Sequence, residues 1–540
     1  MSNSPFFSSK YHYIFYSLTL VAGLWLGVYF SQGENALFKP KSESQGQLEK
    51  ISDIFKYIEE NYVDSVEFTA LVEDALSSIL LHLDPHSTYI SLEEFALVNE
   101  QMTGNFEGIG IQFRIEKDTV LVIQTIANGP SEIMGLKAGD RIIEVEGENI
   151  AGTGITNNEV MKLLKGKKGT KVTLGIKRSG MNTLLYFTIT RDVIPTYSID
   201  YAGMITEETG YIKLSNFNFN SGAEFVDALN KLISQGMKNL IFDLRGNGGG
   251  SLDASIEIAD QFFDKGVLLV YTEGLHRARK DSYSTRHGLF KNGKLAILVD
   301  EFSASASEIV AGAVQDNDRG VVIGRRTFGK GLVQEQLPFR DGSAIRLTVA
   351  RYYTPVGRSI QRTYDKGIEA YYDEFYNRVM DEFTTGNDNA PQDSIEFRTK
   401  SGKIVYGGGG ITPDIHVPYP GIYKNDSLNV FLSMIFQFSF EYADKNRQKL
   451  NTTFANEDRF ISGFIITENI WNQYVSFVGQ NNKSKQNISN IKVNADEKKF
   501  ISTHLKANIG RNLYGYECYY PIIKDADDVL KAAIMSIEGQ

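Results

Sequence analysis

From about Val193 to residue 420 the chain alternates short apolar runs with segments of helical period, and no other feature of the sequence constrains its fold as much. TGYIKLSNF reads as a strand, Ala223 to Ile233 as a helix, KNLIFDLR as a buried strand, Leu252 to Phe263 as a helix and KLAILVD as a strand. A helix from about Ser305 to Val314, a strand GVVIG and two alternating runs, LVQEQLPF and AIRLTVARYYT, extend the pattern. Repeated helix-after-strand connections give a layered α/β sheet, and such sheets carry their sites at strand ends.

At 540 residues the chain is too long for one core of about 150 residues. Residues 48–103 form a helical region, in which Leu48, Ile51, Phe55, Ile58 and Tyr62 recur at helical steps. A second periodic run, Leu71 to Leu83, stops at Asp84-Pro85. From 104 to 192 the period changes to strand-like alternation with turn signals at Asn128-Gly129-Pro130, Gly139-Asp140 and Glu146-Gly147. The last 120 residues, 421–540, contain an apolar helix candidate, NVFLSMIFQFSFEYA, and no motif that implies chemistry. They read as a helical accessory domain.

Tyr13 to Phe30 is an eighteen-residue run without a charge, preceded by Lys10 and by no acid. It is long enough to cross a bilayer as a helix, and no small-x-small cleavage site stands close behind it. The expectation is a single-pass signal anchor at 13–30, a cytoplasmic segment at 1–12, a polar tether at 31–47 and an exported bulk.

A formal net charge of −10 argues against a nucleic-acid footprint, which needs clustered Lys and Arg. The single cysteine, Cys518, excludes an intrachain disulfide and a thiolate zinc site. His82 and His86 have the spacing of a ligand pair on a helix, but Asp84-Pro85 between them breaks the helix, so a helix-terminus role is expected instead of a metal.

Three segments of the α/β region carry candidate chemistry. The run Asp243-Leu244-Arg245-Gly246-Asn247-Gly248-Gly249-Gly250 ends a strand, and its glycines let backbone N–H groups approach a bound oxyanion or phosphate. Ser303-Ala304-Ser305-Ala306-Ser307-Glu308 opens a helix directly after a strand; Ser305 is either a nucleophile or, with Glu308, half of a capping box. Gly324-Arg325-Arg326-Thr327-Phe328-Gly329-Lys330-Gly331 satisfies a phosphate-loop spacing. It lacks the following Ser/Thr and runs into a strand, which fails both structural requirements for nucleotide binding. Lys330 in an apolar, glycine-lined site would lose its charge readily and act as a general base, with Gln334 four residues on to orient it. Asp316 reads as structural.

The stretch Gly108-Ile109-Gly110-Ile111 together with LKAGDRIIEVEGENI resembles a PDZ domain, in which a loop of N–H groups captures the carboxylate of an added peptide strand. The alternative is a tight strand entry that needs glycine. This module, DLRGNGGG, SASASEI, TFGKGLVQ, GGGITPD and LDPHSTYI together resemble the C-terminal processing peptidases, also called tail-specific proteases. The resemblance implies a multidomain α+β and α/β chain with a PDZ domain at 104–192 and a crotonase-like peptidase core at 193–420. It implies Ser305 as nucleophile, Lys330 as general base, Gln334 as the residue positioning it, Gly248 and Ala306 as oxyanion hole, and Gly108, Ile109 and Gly110 as the substrate-binding loop. It also implies a serine endopeptidase without metal or organic cofactor, protein substrates with extended apolar C-terminal tails, and a homo-oligomer built on the amino-terminal helices. With the anchor, the implied place is the inner membrane with the catalytic part in the periplasm. A non-catalytic PDZ adaptor on the same scaffold is the competing reading.

Overall fold

A computed structural model describes residues 43–178, 180–386, 395–424, 426–482 and 491–539. The chain divides into two compact units, one ending at Ser78 and the other spanning Ile79–Gln540. In the first, helix α1 (Glu43–Asn61) is followed by α2 (Phe68–Leu81), and the Phe55 and Phe68 rings meet edge-on with centroids 5.7 Å apart. Helix α1 begins five residues before the expected start of the helical region at Leu48, since no proline stands between Glu43 and Leu48 to stop it. The apolar run 13–30 lies outside the described residues, and among those described no helix is long and apolar enough to cross a membrane.

In the second unit, Asp84 shapes the turn that follows α2. Its buried carboxylate accepts the N–H groups of His86 and Ser87, each at 2.8 Å, and the Ser87 hydroxyl at 2.6 Å. The turn leads into strand β1 (Thr88–Ile90), so the expected helical region contains a strand. Helix α3 (Leu92–Thr103) then starts at a Ser91–Glu94 capping box and ends at Gly104, whose φ of +67° is the left-handed conformation a helix stop requires.

The PDZ module comprises β2 (Asn105–Gly108), β3 (Ile111–Ile115), β4 (Val120–Thr125), a short helix α4 (Pro130–Ile133), β5 (Arg141–Val145), β6 (Glu148–Asn149), α5 (Asn157–Leu164), β7 (Lys171–Lys177), β8 (Leu185–Thr190) and β9 (Asp192–Pro195). Its sheet runs β3-β4-β5-β7-β8, with β6 on β5, around a core of Ile109, Val122, Ile142, Val160, Leu174 and Ile176. Strands β2 and β9 form a separate ribbon, Gly108 opposite Asp192, through which the chain enters and leaves the module. The boundary expected at 192/193 therefore falls inside a strand.

The peptidase region continues with β10 (Ile199–Met204), β11 (Thr209–Leu214), α6 (Ser221–Ser234), β12 (Asn239–Asp243), α7 (Leu252–Asp260), β13 (Leu268–Gly274), β14 (Arg277–Tyr283), β15 (Leu295–Val299), α8 (Ala306–Asp316), β16 (Val321–Gly324), β17 (Leu332–Pro338), β18 (Ala344–Tyr353), α9 (Ile368–Thr385), β19 (Glu396–Arg398), β20 (Ile404–Tyr406) and β21 (Ile415–His416). The main sheet has the order β10-β11-β12-β15-β16-β21, parallel from β11 onward. A second sheet joins β1, β18, β13 and β14, with β17 paired to β18, so the segment around Thr88 belongs to the peptidase architecture.

The carboxyl-terminal helices α10 (Asp426–Thr453), α11 (Glu457–Gly463), α12 (Glu468–Asn481), α13 (Ala495–Tyr514), α14 (Tyr516–Ile523) and α15 (Asp528–Glu538) cover one face of the main sheet. Strand residues divide between the two faces by alternation. Leu240, Phe242, Leu295, Ile297 and Val299 pack with helices α6 to α8, whereas Tyr211, Ile241, Ala296 and Leu298 pack with Phe431, Leu505, Tyr520 and Leu530 of the last domain. The expected accessory domain is thus the third layer of the sandwich.

Candidate active site

Three parallel strands end together at the site. After β12 comes the glycine loop, after β15 the serine turn, and after β16 the lysine loop. Asp300, at the end of β15, ties the first two together: its Oδ1 accepts Gly246 N–H (2.9 Å), Phe302 N–H and Ser303 N–H (each 3.1 Å). Asn247 O accepts both Ala304 N–H (3.0 Å) and the Ser307 hydroxyl (2.8 Å).

Ser305 stands immediately before α8 with φ +55° and ψ −112°, a backbone state that only a well-braced turn imposes on a residue with a side chain. Glu308 braces it. Its fully buried carboxylate accepts Ser305 N–H (2.8 Å), Lys330 N–H (2.9 Å), Gly329 N–H (2.7 Å) and the Thr327 hydroxyl (2.5 Å), which locks the serine turn to the lysine loop. Burial pushes the Glu308 carboxyl up to about 7 in spite of these donors.

Lys330 Nζ donates to Gln334 Oε1 at 2.8 Å, and Gln334 Nε2 donates to the His86 carbonyl at 2.6 Å. A break in the β17–β18 register between Val333 and Gln334 turns the glutamine toward the lysine. Burial, and after it the neighbouring Arg346, holds the Lys330 ammonium down to about 8. The Tyr352 hydroxyl lies 2.7 Å from Lys330 O and 3.1 Å from Ser305 O, bridging the backbones of the two candidates.

Ser305, Ala306, Lys330, Gln334 and Gly248 line one cavity of about 640 Å³, which Arg346, Tyr352 and the α3 residues Val98 and Met102 also border. Neither Gly248 N–H nor Ala306 N–H donates to another group among the described residues. The glycine loop touches the serine turn: a Cβ added to Gly249 would stand 3.0 Å from Ala306 N. The Gly108–Gly110 loop does not line this cavity. It precedes β3, the edge strand of the PDZ sheet, with the Ile109 carbonyl fixed by Ser131 N–H (3.1 Å) and its hydroxyl (2.6 Å). Asp316 is buried against Arg358 (2.6 Å), a structural pair.

Sequence reasoning missed His86 as a partner of the site, and Tyr352, Glu308 and Arg346 as its frame. The histidine lies past the helix terminus assigned to it; its ring is 3.0 Å from the Tyr371 hydroxyl, and burial, with Lys330 nearby, holds it neutral at about 4.

Fold and site define a serine-type peptidase that carries a PDZ module. The model of peptidase family S41 matches residues 208–372, a PDZ domain model residues 108–188, and the N-terminal domain of the activating protease CtpB residues 27–94. A family of unknown function matches residues 431–515. A carboxy-terminal-processing protease of Bartonella bacilliformis is 36% identical over 320 residues, 58% of this chain and 73% of that protein. The carboxy-terminal processing protease CtpA of Bacillus subtilis is 33% identical over 349 residues, 63% of this chain and 72% of that protein. Among solved structures, the photosystem II D1 C-terminal processing protease aligns at 27% identity with a TM-score of 0.33, covering 57% of this chain and 89% of that one. The chain belongs to the carboxy-terminal processing protease family.

Proposed function

We propose that this protein cleaves polypeptides at extended, apolar C-terminal tails through a Ser305–Lys330 dyad. The observation that carries the reading is that Lys330, bonded to Gln334, shares one cavity with Ser305 and is held down to about 8, while Gln334 is anchored on the His86 carbonyl. About a tenth of such a lysine is neutral at pH 7, enough to serve as a base without histidine. Neutral Lys330 takes the Ser305 hydroxyl proton as Oγ attacks the scissile carbonyl. The N–H groups of Gly248 and Ala306 receive the developing oxyanion, helped by the start of α8. The lysine then gives its proton to the departing amine, which leaves an acyl-serine. Water, deprotonated by Lys330, attacks the acyl carbon, and the returning proton regenerates Ser305.

The PDZ loop Gly108–Gly110 binds the substrate's terminal carboxylate, and the tail extends along the edge of β3. The uncharged run 13–30 anchors the protein in the inner membrane with the catalytic part in the periplasm. The apolar residues Leu48, Ile51, Ile54 and Tyr57, exposed on α1, suit assembly with a second copy.

Two measurements test the reading. Tail-dependent cleavage by the wild type and none by Ser305→Ala is expected; activity that survives Ser305→Ala overturns the dyad. Membrane fractionation should pellet the full chain, and recovery in the soluble fraction would refute the anchor.

A further inference from the structure

The middle and end of the glycine loop that follows β12 are held by Asn247, whose Oδ1 accepts Gly249 N–H (2.9 Å) and whose Nδ2 donates to Leu214 O (3.1 Å), and by Phe217, whose N–H donates to Gly249 O (3.0 Å); its entry is held from outside. Gly246, Gly249 and Gly250 all adopt positive φ (+68°, +100° and +144°), a freedom that carries an entropy cost and calls for external restraints. The residue entering the loop is Arg245, whose backbone is fastened on both sides: its N–H donates to Asp243 Oδ1 (2.8 Å), and its carbonyl accepts Lys213 Nζ. Its guanidinium lies between two carboxylates. Nε and Nη2 donate to Asp243 (3.0 and 2.6 Å), while Nη1 and Nη2 donate to Asp527 Oδ1 and Oδ2 (2.9 and 2.7 Å). The second pair is a fork-to-fork contact, the geometry in which Arg is most strongly oriented.

Asp527 comes from the carboxyl-terminal domain. It is the N-cap of α15, where Oδ1 also accepts Val529 N–H and Leu530 N–H (3.1 Å each), so its carboxylate is itself held still. Helix α15 packs on the main sheet through Val529, Leu530, Ala533 and Ile537. A continuous chain therefore runs from this helix through Asp527 and Arg245 to Gly246, whose N–H is fixed by Asp300, the residue that also braces the serine turn.

We propose that Asp527 is a positioning residue for the oxyanion loop, so that the carboxyl-terminal domain sets the reactivity of a site it does not enter. The inference rests on the peptidase reading given above. Holding a donor that would stabilise an oxyanion is a matter of fractions of an ångström, and a loosened loop weakens the transition state more than substrate binding. The effect thus falls on kcat.

The test uses the full-length chain in detergent, with Asp527→Asn as the principal variant. Asparagine caps a helix as well as aspartate does, so α15 keeps its N-cap while the charge facing Arg245 is removed. Asp527→Ser, which also caps, is the second variant should the first fold poorly. The pair lines a cavity of about 480 Å³ between the sheet and the last domain, which leaves room for either side chain. Cleavage of a tail-bearing peptide should show kcat lower by about tenfold with KM within about twofold of wild type, as a displaced but intact oxyanion donor implies. Amide hydrogen exchange over residues 244–250 should quicken while exchange in α15 stays slow.

An active wild type whose Asp527→Asn variant keeps both kcat and loop protection overturns the proposal alone. So does a variant that loses protection in α15 and the loop together, because the role is then only structural. A wild type that cleaves nothing overturns the peptidase reading, and this proposal with it.

Discussion

A Cβ added to Gly249 would stand 2.8 Å from the Cβ of Ser305. The same atom would lie 2.7 Å from Ala304 O, at a position whose φ of +100° is already foreign to residues with side chains. Gly249→Ala therefore displaces the serine turn. We expect kcat to fall by about a hundredfold or more, the size of effect seen when one oxyanion donor is lost, with the far-ultraviolet circular dichroism unchanged. Activity within a factor of a few of wild type would show that the contact does not set the site's geometry.

Glu308 is the joint between serine and lysine, since one carboxylate serves Ser305 N–H, Lys330 N–H, Gly329 N–H and the Thr327 hydroxyl. Glutamine in its place presents an NH₂ group to donors that need an acceptor. Glu308→Gln should lower kcat by about ten- to a hundredfold with a smaller change in KM, as misplacement of reacting groups does. Steady-state kinetics on a tail-bearing peptide decide the point.

Under the proposed dyad, the depressed pKa of Lys330 sets the pH dependence of cleavage. The base must be neutral, so kcat/KM should rise with pH and level off above about 8. Arg346, which borders the same cavity, helps to hold the ammonium down. Arg346→Met should consequently move this limb to higher pH. A limb that stays in place would mean that the arginine does not act on the base.

The same shift sets a cost in stability. The folded-state pKa of Lys330, about 8, lies below its ordinary 10.5, so its contribution is fully present above pH 10.5 and is lost as the pH falls through 8. Lys330→Met should therefore be more stable to urea than wild type at pH 7, by up to about 3 kcal/mol, with a gap that narrows as the pH rises from about 8 to 10.5. Glu308 has the opposite sign. Its pKa, raised from 4.5 to about 7, favours the native state below pH 4.5 and ceases to do so as the pH rises through 7.

The carboxyl-terminal domain shares its core with the sheet, and Leu530 is completely buried there. Leu530→Ala should cost about 2–5 kcal/mol. Because one core joins the two parts, thermal unfolding of the peptidase and of the last domain should shift together, as a single transition. Two separate transitions would contradict the shared layer.

Much of the candidate site was legible in the sequence because the residues that share its cavity lie in short segments directly after strands, where glycine, small residues and an isolated lysine stand out. Gln334 could be read from its spacing to Lys330, and the loop of β2 and β3 from its glycines. What remained hidden is supplied by distant segments. The His86 carbonyl reaches Gln334 from 248 residues away, and a main-chain acceptor has no sequence signature. Tyr352 looks like any aromatic in an alternating strand, and the φ of Ser305 is imposed by its surroundings. Glu308 was legible only as a capping partner, since its other three donors come from the lysine loop. The last domain was read as accessory because helical periodicity shows that a face is apolar and does not show which surface covers it.

The most direct test of the Ser305–Lys330 dyad is mass spectrometry of an unfolded protein with an apolar C-terminal tail, incubated with the full chain in detergent as wild type, Ser305→Ala and Lys330→Ala. The account predicts shortened products and a transient acyl adduct on Ser305 for the wild type, and intact substrate for both variants. Cleavage that persists in Lys330→Ala would contradict it, as would a wild type that binds the tail and leaves it whole.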